Sequence, residues 1–316
     1  MTEKIIIGVS ACLLGQKVRY DGGHQLDRYI RDDLGLFFDY LPVCPEVEAG
    51  LPVPREPLRL VDSAAGPRLV FRKSGVDFTD RMRDWARERL DQLEAESPCG
   101  FIFKSKSPSS GLERVKVHND RGVPSATGTG VWAAMFKERF PLLPVEDEGR
   151  LHDPKLREMF IEKVFVLKRW RDQFRDGRSL GRLVEFHTRH KLLIMAHDEE
   201  IYRELGRLTA AGKKRDLNEL LSVYLERLAK ALSLKTTTKK NLNVLRHIMG
   251  YFKKVLTPDE KRELLEVLDV YARGDAPLIV PVTLLNHYVR KFDQAYLREQ
   301  YYLAPHPVEL RLRNQA

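Results

Sequence analysis

IIIGVSACLLG, residues 5–15, decides the fold of the first half of the chain. Its apolar, β-branched residues up to Val9 are typical of a buried strand, and the stretch then enters a loop that carries Cys12. In open α/β folds, ligands bind at the carboxyl ends of the strands. The stretch therefore predicts a sheet whose edge presents Cys12 for chemistry.

The chain has 316 residues, of which 43% are hydrophobic and 31% charged, values typical of a soluble globular protein. No run approaches the roughly 18 apolar residues that a membrane span needs, and the start of the chain shows no secretory signal. Three cysteines are too few for a disulfide framework. We therefore expect a cytoplasmic protein whose cysteines are buried, catalytic or metal-bound.

The net charge of +9 is unevenly distributed along the chain. Residues 1–150 hold 22 Lys and Arg against 23 Asp and Glu, a net charge of −1, whereas residues 151–316 hold 32 against 22, a net charge of +10. An excess of Lys and Arg on one domain is typical of phosphate-backbone binding. The alternative is a basic helical domain whose charges only keep it soluble.

Short apolar segments alternate with amphipathic ones in residues 1–150. Pro- and Gly-rich residues 49–57 predict an irregular loop between them. Alternation of strands and helices indicates an α/β domain, a mostly parallel sheet with helices on its faces. Besides the opening strand, the predicted strands are 36–43, 68–71, 101–104 and 142–145, and the predicted helices are 79–95, with Thr79 as its N-cap, and 131–140.

From about Pro154 the apolar spacing becomes helical, as in Phe160, Val164 and Trp170. Thr257 before Pro258 predicts a helix start. The Pro-rich residues 276–282 predict a break before a last helix that ends near residue 296. We expect an all-α C-terminal domain.

The three cysteines, Cys12, Cys44 and Cys99, each stand in a turn-rich loop beside a short apolar strand. Three thiolates that converge at one end of a sheet suit soft metals, either an iron-sulfur cluster or zinc with an open position. Their spacing matches no compact metal motif such as Cys-x-x-Cys. Three unrelated buried thiols therefore stay as the alternative.

Glu46, two residues after Cys44, is a candidate general acid or base, and the hydroxyls of Ser107 and Ser109 are candidates for holding a polar substrate. The alternatives are a helix cap for Glu46 and ordinary turn chemistry for the serines. Asp21 and Arg55 are weaker candidates in loops near the same edge.

Two basic segments of the second half are candidates for contacts to the phosphates of a nucleic acid, or else solvated faces. Three histidines, His187, His190 and His197, suit a metal by residue type, but their helical, apolar neighbours favour packed or hydrogen-bonded side chains. The residues of the two basic segments are Lys213, Lys214, Arg215, Lys235, Lys239 and Lys240.

Three separated blocks of the first half follow one another in order: SACLLG with VRYDG (10–15, 18–22), CPE with GLPVPR (44–46, 50–55), and KSKSPS (104–109). Over roughly residues 4–148 they resemble the signature blocks of TudS-type thiouracil desulfidases. The second half resembles the YbgA-like helical domain, notably in FHTRHK (186–191) and YLAPHP (302–307). We therefore expect a TudS-like iron-sulfur desulfidase domain at 1–150 and a YbgA-like basic helical domain, which binds tRNA, at 151–316.

Desulfidases with this fused domain resemble the enzymes that remove sulfur from 4-thiouridine in tRNA, a substrate that the +10 charge suits. The resemblance implies a 4Fe-4S cluster on three cysteines, whose open iron binds the thiocarbonyl sulfur. It also implies that Glu46 activates water, that Ser107 or Ser109 orients the base, and that the desulfuration is hydrolytic and without net redox change.

One position departs from the family pattern. Family members usually read Ser-Pro-Ser-Cys-Gly, whereas Ser110 stands in the place of the cysteine here, which leaves Cys99 as the remaining third thiol. Two alternative functions stay open: a desulfidase of free thiouracil or thionucleosides, and an RNA-binding protein with a structural metal site.

Overall fold

The computed structural model describes residues 4–64, 66–119 and 121–314. The chain divides into two compact units between Leu156 and Arg157. Within the described ranges we find no helix that combines the length and the apolar character of a transmembrane segment.

Two four-stranded sheets form in the described part of the first unit. Its strands are β1 (Ile5–Ser10), β2 (Phe38–Val43), β3 (Leu58–Val61), β4 (Arg68–Phe71), β5 (Phe101–Phe103), β6 (Val115–His118), β7 (Pro124–Gly128) and β8 (Val145–Asp147). One sheet has the order β2-β1-β5-β8 and all its pairs are parallel. This sheet confirms the predicted α/β class. The other has the order β4-β3-β6-β7, is parallel only between β3 and β6, and was not predicted.

Three helices accompany these sheets: α1 (Pro45–Glu48), α2 (Thr79–Glu96) and α3 (Val131–Arg139). The ring of Phe136 on α3 lies 4.9 Å from that of Phe101 on β5, centroid to centroid, in the core of this unit. Gly8 on β1 is required by this packing, because a Cβ there would overlap the Phe101 ring. The predicted N-cap is corrected by one position: Thr79 is the first residue of α2, and the carboxylate of Asp77 accepts its backbone N–H at 2.9 Å.

Eight α-helices begin in the described residues from 154 to 314, which confirms the predicted all-α second half. A capping box at Thr257 and Glu260 opens one of them, as the sequence predicts. The predicted break at 276–282 is wrong in part, because a helix begins inside it. The helices are α4 (Pro154–Phe174), α5 (Leu180–His197), α6 (Glu199–Ala210), α7 (Leu217–Ser233), α8 (Thr238–Gly250), α9 (Pro258–Arg273), α10 (Ile279–Lys291) and α11 (Ala295–Arg298).

A buried ion network lies in the core of the second unit. The carboxylate of Glu162 is 2.5 Å from Nε2 of His197 and 3.6 Å from Nη2 of Arg313, and all three side chains are at most 6% exposed. Burial alone would raise the pKa of Glu162, but the neighbouring His197 and Arg313 lower it to about 2. The His197 ring is therefore held by a carboxylate and by the Leu234 carbonyl, at 2.7 Å, as a structural residue.

Glu162→Gln should destabilise the second unit by about 3–5 kcal/mol at neutral pH, because it removes the carboxylate charge from a buried ion pair with Arg313. Since the folded-state pKa of Glu162 is lowered, its contribution is present above pH 4.5 and is lost as the pH falls towards about 2. Hydrogen exchange of α4 and α5 peptides measures both effects. Glu226→Gln, an exposed change on α7, is the control; equal protection in the two variants would contradict the prediction.

Candidate active site

A cavity of ≈ 300 Å³ opens at the carboxyl edge of the parallel sheet. The strands β1, β2 and β5 all end there, with Ser10 paired to Val43 and Gly8 to Phe101. The loops that follow these strands supply its wall. The structure therefore brings five of the predicted site residues to one cavity: Cys12, Cys44, Glu46, Ser107 and Ser109.

Cys12 and Cys44 are the two thiols of this cavity, and both are free. Burial, and next the negative charge that Cys44 would carry as a thiolate, raises the pKa of Cys12 to about 11. Burial also raises the pKa of Cys44. Cys44 is thus close enough to Cys12 to disfavour its ionisation, and a cation that binds both thiols must displace their protons.

Cys99 lies at the amino ends of the strands, on the side of the sheet away from the cavity. The predicted convergence of all three cysteines is therefore wrong. Cys99 precedes β5, whereas Cys12 and Cys44 follow their strands, and its backbone N–H donates to the Ile6 carbonyl near the start of β1. Ile6 is four residues, roughly 13 Å, from the end of β1. The structure therefore brings two of the three thiols together.

Glu46 lies in the first turn of α1, and its carboxylate points away from a capping position. Its Oε2 accepts from Nε and Nη2 of Arg55, at 2.9 and 2.7 Å, and its Oε1 accepts from the Ser109 hydroxyl at 2.8 Å. The capping contact belongs instead to Glu48, which accepts the Cys44 N–H at 2.7 Å. Glu46 is thus an oriented carboxylate beside the thiols.

Arg55, a weaker candidate in the sequence analysis, makes direct contacts in the site. Its guanidinium also donates to the carbonyls of Val18, at 3.0 Å, and Pro52, and its side chain is only 4% exposed. Its backbone N–H donates to the Tyr20 carbonyl at 2.8 Å. The Pro-rich loop therefore fixes Arg55 against Glu46. A charged residue within such a stiff loop is the sequence feature that could have predicted this role.

The serine loop, residues 105–110, connects the two predicted serines to Glu46. The Ser107 hydroxyl lies 3.0 Å from that of Ser109, and it accepts the Ser110 N–H at 3.1 Å. Ser107 therefore performs the turn role, whereas Ser109 contacts Glu46. Gly130 supports the loop from behind, because a Cβ at that position would collide with the backbone of Ser109 and Ser110.

A second carboxylate, Glu148, ties down the start of the serine loop and was not predicted. It pairs with the Lys104 ammonium, and it accepts from the backbone N–H and the hydroxyl of Ser105 at 2.6 and 2.7 Å. The Lys104 N–H in turn donates to the Ser10 hydroxyl at 2.9 Å. These contacts join the ends of β1 and β5 and fix the loop's starting point.

Comparisons with known proteins match each half of the chain to a family. Residues 7–148 match the model of the 2-thiouracil desulfurase family, and residues 191–307 match that of DUF1722, a protein family of unknown function. The uncharacterized protein YbbK of Bacillus subtilis (strain 168) is 31% identical over 138 residues, which cover 42% of this chain and 90% of YbbK. The chain belongs to the 2-thiouracil desulfurase family.

Its second half is that of a DUF1722 protein. The uncharacterized protein YbgA of Escherichia coli (strain K12) is 30% identical over 153 residues, which cover 48% of this chain and 90% of YbgA. A solved structure described as the [4Fe-4S]-dependent thiouracil desulfidase TudS is similar with 33% identity and a TM-score of 0.38, over 48% of this chain and 95% of that chain. The two family models and the relative YbgA confirm the predicted fusion of a thiouracil desulfidase-like domain to a YbgA-like one.

The donor set of this family member suits a soft metal at two positions, Cys12 and Cys44. Within the described ranges, no three Cys, His, Asp or Glu side chains come together as a metal site. A third candidate donor, the hydroxyl of Ser110, belongs to a residue that lines the same cavity and is 4% exposed. Among the described residues its Oγ has no hydrogen-bond partner. The residues present therefore fit a centre with two thiols and one hydroxyl.

The two basic segments of the DUF1722 half lie at opposite ends of α7. One precedes the helix and the other follows it, so its 17 residues separate them by roughly 25 Å. Lys240 is the least available, because its ammonium donates to the carbonyls of His197 and Lys235. The remaining five side chains are exposed: Lys213, Lys214, Arg215, Lys235 and Lys239.

Proposed function

We propose that the chain is a desulfidase that removes sulfur from 4-thiouridine in tRNA by hydrolysis at a 4Fe-4S cluster. The single observation that supports it is one cavity in which a thiol pair stands beside an oriented carboxylate, Glu46. Membership of the 2-thiouracil desulfurase family supports the same reaction class. The cluster is the one that the sequence resemblance implies.

Cys12 and Cys44 would hold this cluster, with Ser110 as the third protein donor in place of Cys99. Bound there, the cluster supplies an open iron, a soft Lewis acid that polarises a thiocarbonyl group. The serine hydroxyl must lose its proton to bind iron, and the pKa of that proton is higher than that of a thiol. Ser110 would therefore hold iron less tightly than a cysteine at the same position.

Glu46 is the proposed general base. Arg55 holds one carboxylate oxygen through two N–H donors, which leaves the orientation of the other oxygen to Ser109. That oxygen takes a proton from a water molecule, whose oxygen bonds to the carbon of the C=S group. The C–S bond breaks, sulfur leaves as hydrosulfide, the product carries C=O, and no electron is gained or lost overall.

The Ser107 and Ser109 hydroxyls would orient the base through hydrogen bonds to its polar edge. The cavity of ≈ 300 Å³, which the cluster and the base would share, has no room for a folded RNA. The thiolated base must therefore leave its stack to react. The net charge of +10 in residues 151–316 supports tRNA as the carrier of that base.

Turnover of tRNA against free 4-thiouridine and 2-thiouracil, each at several salt concentrations, tests the substrate. We expect tRNA to be converted preferentially and the preference to fall as salt rises, because salt weakens phosphate contacts. Preferential, salt-independent conversion of the free base would assign the chain to free thiopyrimidines. RNA binding with no sulfide release from any substrate would favour the RNA-binding alternative.

Ser110→Cys should slow the loss of the cluster in air, and Ser110→Ala should lower the iron content of the purified protein. The reason is that alanine offers iron no ligand, serine offers a hydroxyl, and cysteine offers a thiol, which binds iron most tightly of the three. Visible absorbance and iron content after anaerobic reconstitution measure this without reference to activity. Identical iron content and air stability in wild type and both variants would remove Ser110 from the ligand set.

A further inference from the structure

A second cavity, of ≈ 470 Å³, lies within the C-terminal unit and has no part in the proposed reaction. Helices α4 and α5 supply most of its lining residues, and Tyr301 also lines it. Its cationic side chains are those of Arg169, Arg182 and Arg189, and His190 also lines it. We name it the arginine pocket.

Arg169 carries a buried donor that no group among the described residues accepts. Its guanidinium stacks on the Tyr301 ring at 3.8 Å from the centroid, and its Nη2 donates to the Pro305 carbonyl. Its Nη1 is buried without a hydrogen-bond partner in the described part of the chain. Burial lowers the pKa of Arg169 to about 10, so the side chain stays cationic at neutral pH. An unpaired buried cationic donor calls for an acceptor from a ligand.

His190 contributes an unused acceptor on the same cavity. It is 1% exposed, and Nδ1 lies 2.8 Å from the Phe186 carbonyl, to which it must donate. Burial lowers the pKa of His190 to about 3, so the ring is neutral and Nε2 bears a lone pair. Nε2 is buried and has no partner among the described residues. A ligand that satisfies it must offer a hydroxyl or an N–H group.

The charges that remain unpaired in the arginine pocket are positive. Its two carboxylates are engaged: Asp172 by Lys168 at 2.6 Å, and Glu185 by Arg189 at 3.0 Å. Arg182 donates to the Gln173 carbonyl at 2.8 Å and forms no ion pair within the described ranges. Arg169 and Arg182 are thus two cations without a carboxylate partner, and they favour an anionic ligand.

We propose that the arginine pocket binds a ribose phosphate unit of RNA. The phosphate accepts from Arg169 and Arg182, and the ribose 2′-hydroxyl donates to Nε2 of His190. This assignment rests on the proposed function, because tRNA is the RNA concerned. It adds a built contact to a domain in which five of the six residues of the two basic segments are exposed.

Fluorescence anisotropy with an unmodified tRNA transcript, which contains no thiolated base, tests the pocket on the full-length holoprotein. Arg182→Gln should weaken RNA binding about tenfold and reduce the slope of log Kd against log salt by about one. Arg262→Gln, an exposed arginine on α9 outside the pocket, is the matched control and should bind as wild type does. Equal Kd values and salt slopes for the two variants would overturn the proposal.

His190→Phe keeps a ring in the stack on Phe186 but removes the acceptor. It should abolish the preference for RNA over a DNA of the same sequence, because DNA lacks the 2′-hydroxyl. An unchanged preference in a variant whose circular dichroism matches wild type would overturn the ribose contact. Tight binding of uridine monophosphate without binding of tRNA would overturn the assignment to an RNA chain in favour of a free nucleotide.

The proposed RNA contact in the arginine pocket and the proposed desulfidase function can be contradicted independently of each other. If Arg182→Gln weakens binding of the unmodified transcript while wild type leaves 4-thiouridine intact, the pocket stands and the proposed function falls. If wild type converts thiolated tRNA and Arg182→Gln binds the transcript as tightly, the function stands and the pocket falls.

Discussion

Glu46→Gln lowers the rate of 4-thiouridine conversion by about 10²–10⁴-fold, the range that a positioned general base contributes. The substitution removes the base but keeps an amide of the same shape, whose single oxygen can accept from Arg55 or from Ser109 but not from both. Iron content should stay at the wild-type level, since Glu46 is not a proposed ligand. Single-turnover loss of 4-thiouridine absorbance measures the rate.

Glu88→Gln is the matched control for this variant. Glu88 is an exposed carboxylate on α2, and the same change of charge there should leave the rate unaltered. A Glu46→Gln protein that retains its iron and reacts within a fewfold of the control would remove Glu46 from the chemistry.

Cys12→Ala and Cys44→Ala each lower the iron content to near background, whereas Cys99→Ala retains iron. The first two thiols line the cavity, and the third lies at the other edge of the sheet. Loss of one of two thiolate ligands leaves too few donors to hold a cluster against solvent. Iron and sulfide analysis after anaerobic reconstitution measures the difference.

Cys99→Ala serves as the matched control, because it removes a buried thiol of the same type. Circular dichroism shows whether the three variants fold alike. An equal loss of iron from all three folded variants would restore the three-cysteine ligation that the sequence resemblance implied.

The parallel sheet could be predicted because its signals are local. The run around β1 is apolar and β-branched, and β2 and β5 are bounded by turn residues. The second sheet could not be predicted in the same way. Its strand β7 is almost wholly exposed and reads PSATG, which has no alternating apolar pattern, and β3 and β6 are only four residues long.

The position of Cys99 could have been inferred from the sequence with one further step. Cys12 and Cys44 follow their predicted strands, whereas Cys99 precedes its strand. In a parallel sheet, residues before and after a strand lie at opposite edges. A cysteine next to a predicted strand can therefore be assigned to one side of the sheet only when the direction of the strand is also taken into account.

The contacts of Glu46 were beyond sequence reasoning because they join distant parts of the chain. Ser109 is 63 residues away and Arg55 is held by the loop of Val18 and Tyr20. Residue types and turn signals placed Glu46 and the serines near one edge. Only the folded structure shows that one serine serves the turn and the other serves the carboxylate.

Iron, sulfide and 4-thiouridine content, measured on one anaerobically reconstituted sample before and after incubation with thiolated tRNA, tests the central claim most directly. We predict a brown protein that contains iron and labile sulfide, with loss of 4-thiouridine from the tRNA and release of an equal amount of sulfide. A colourless, iron-free protein that leaves 4-thiouridine unchanged after reconstitution would contradict the account.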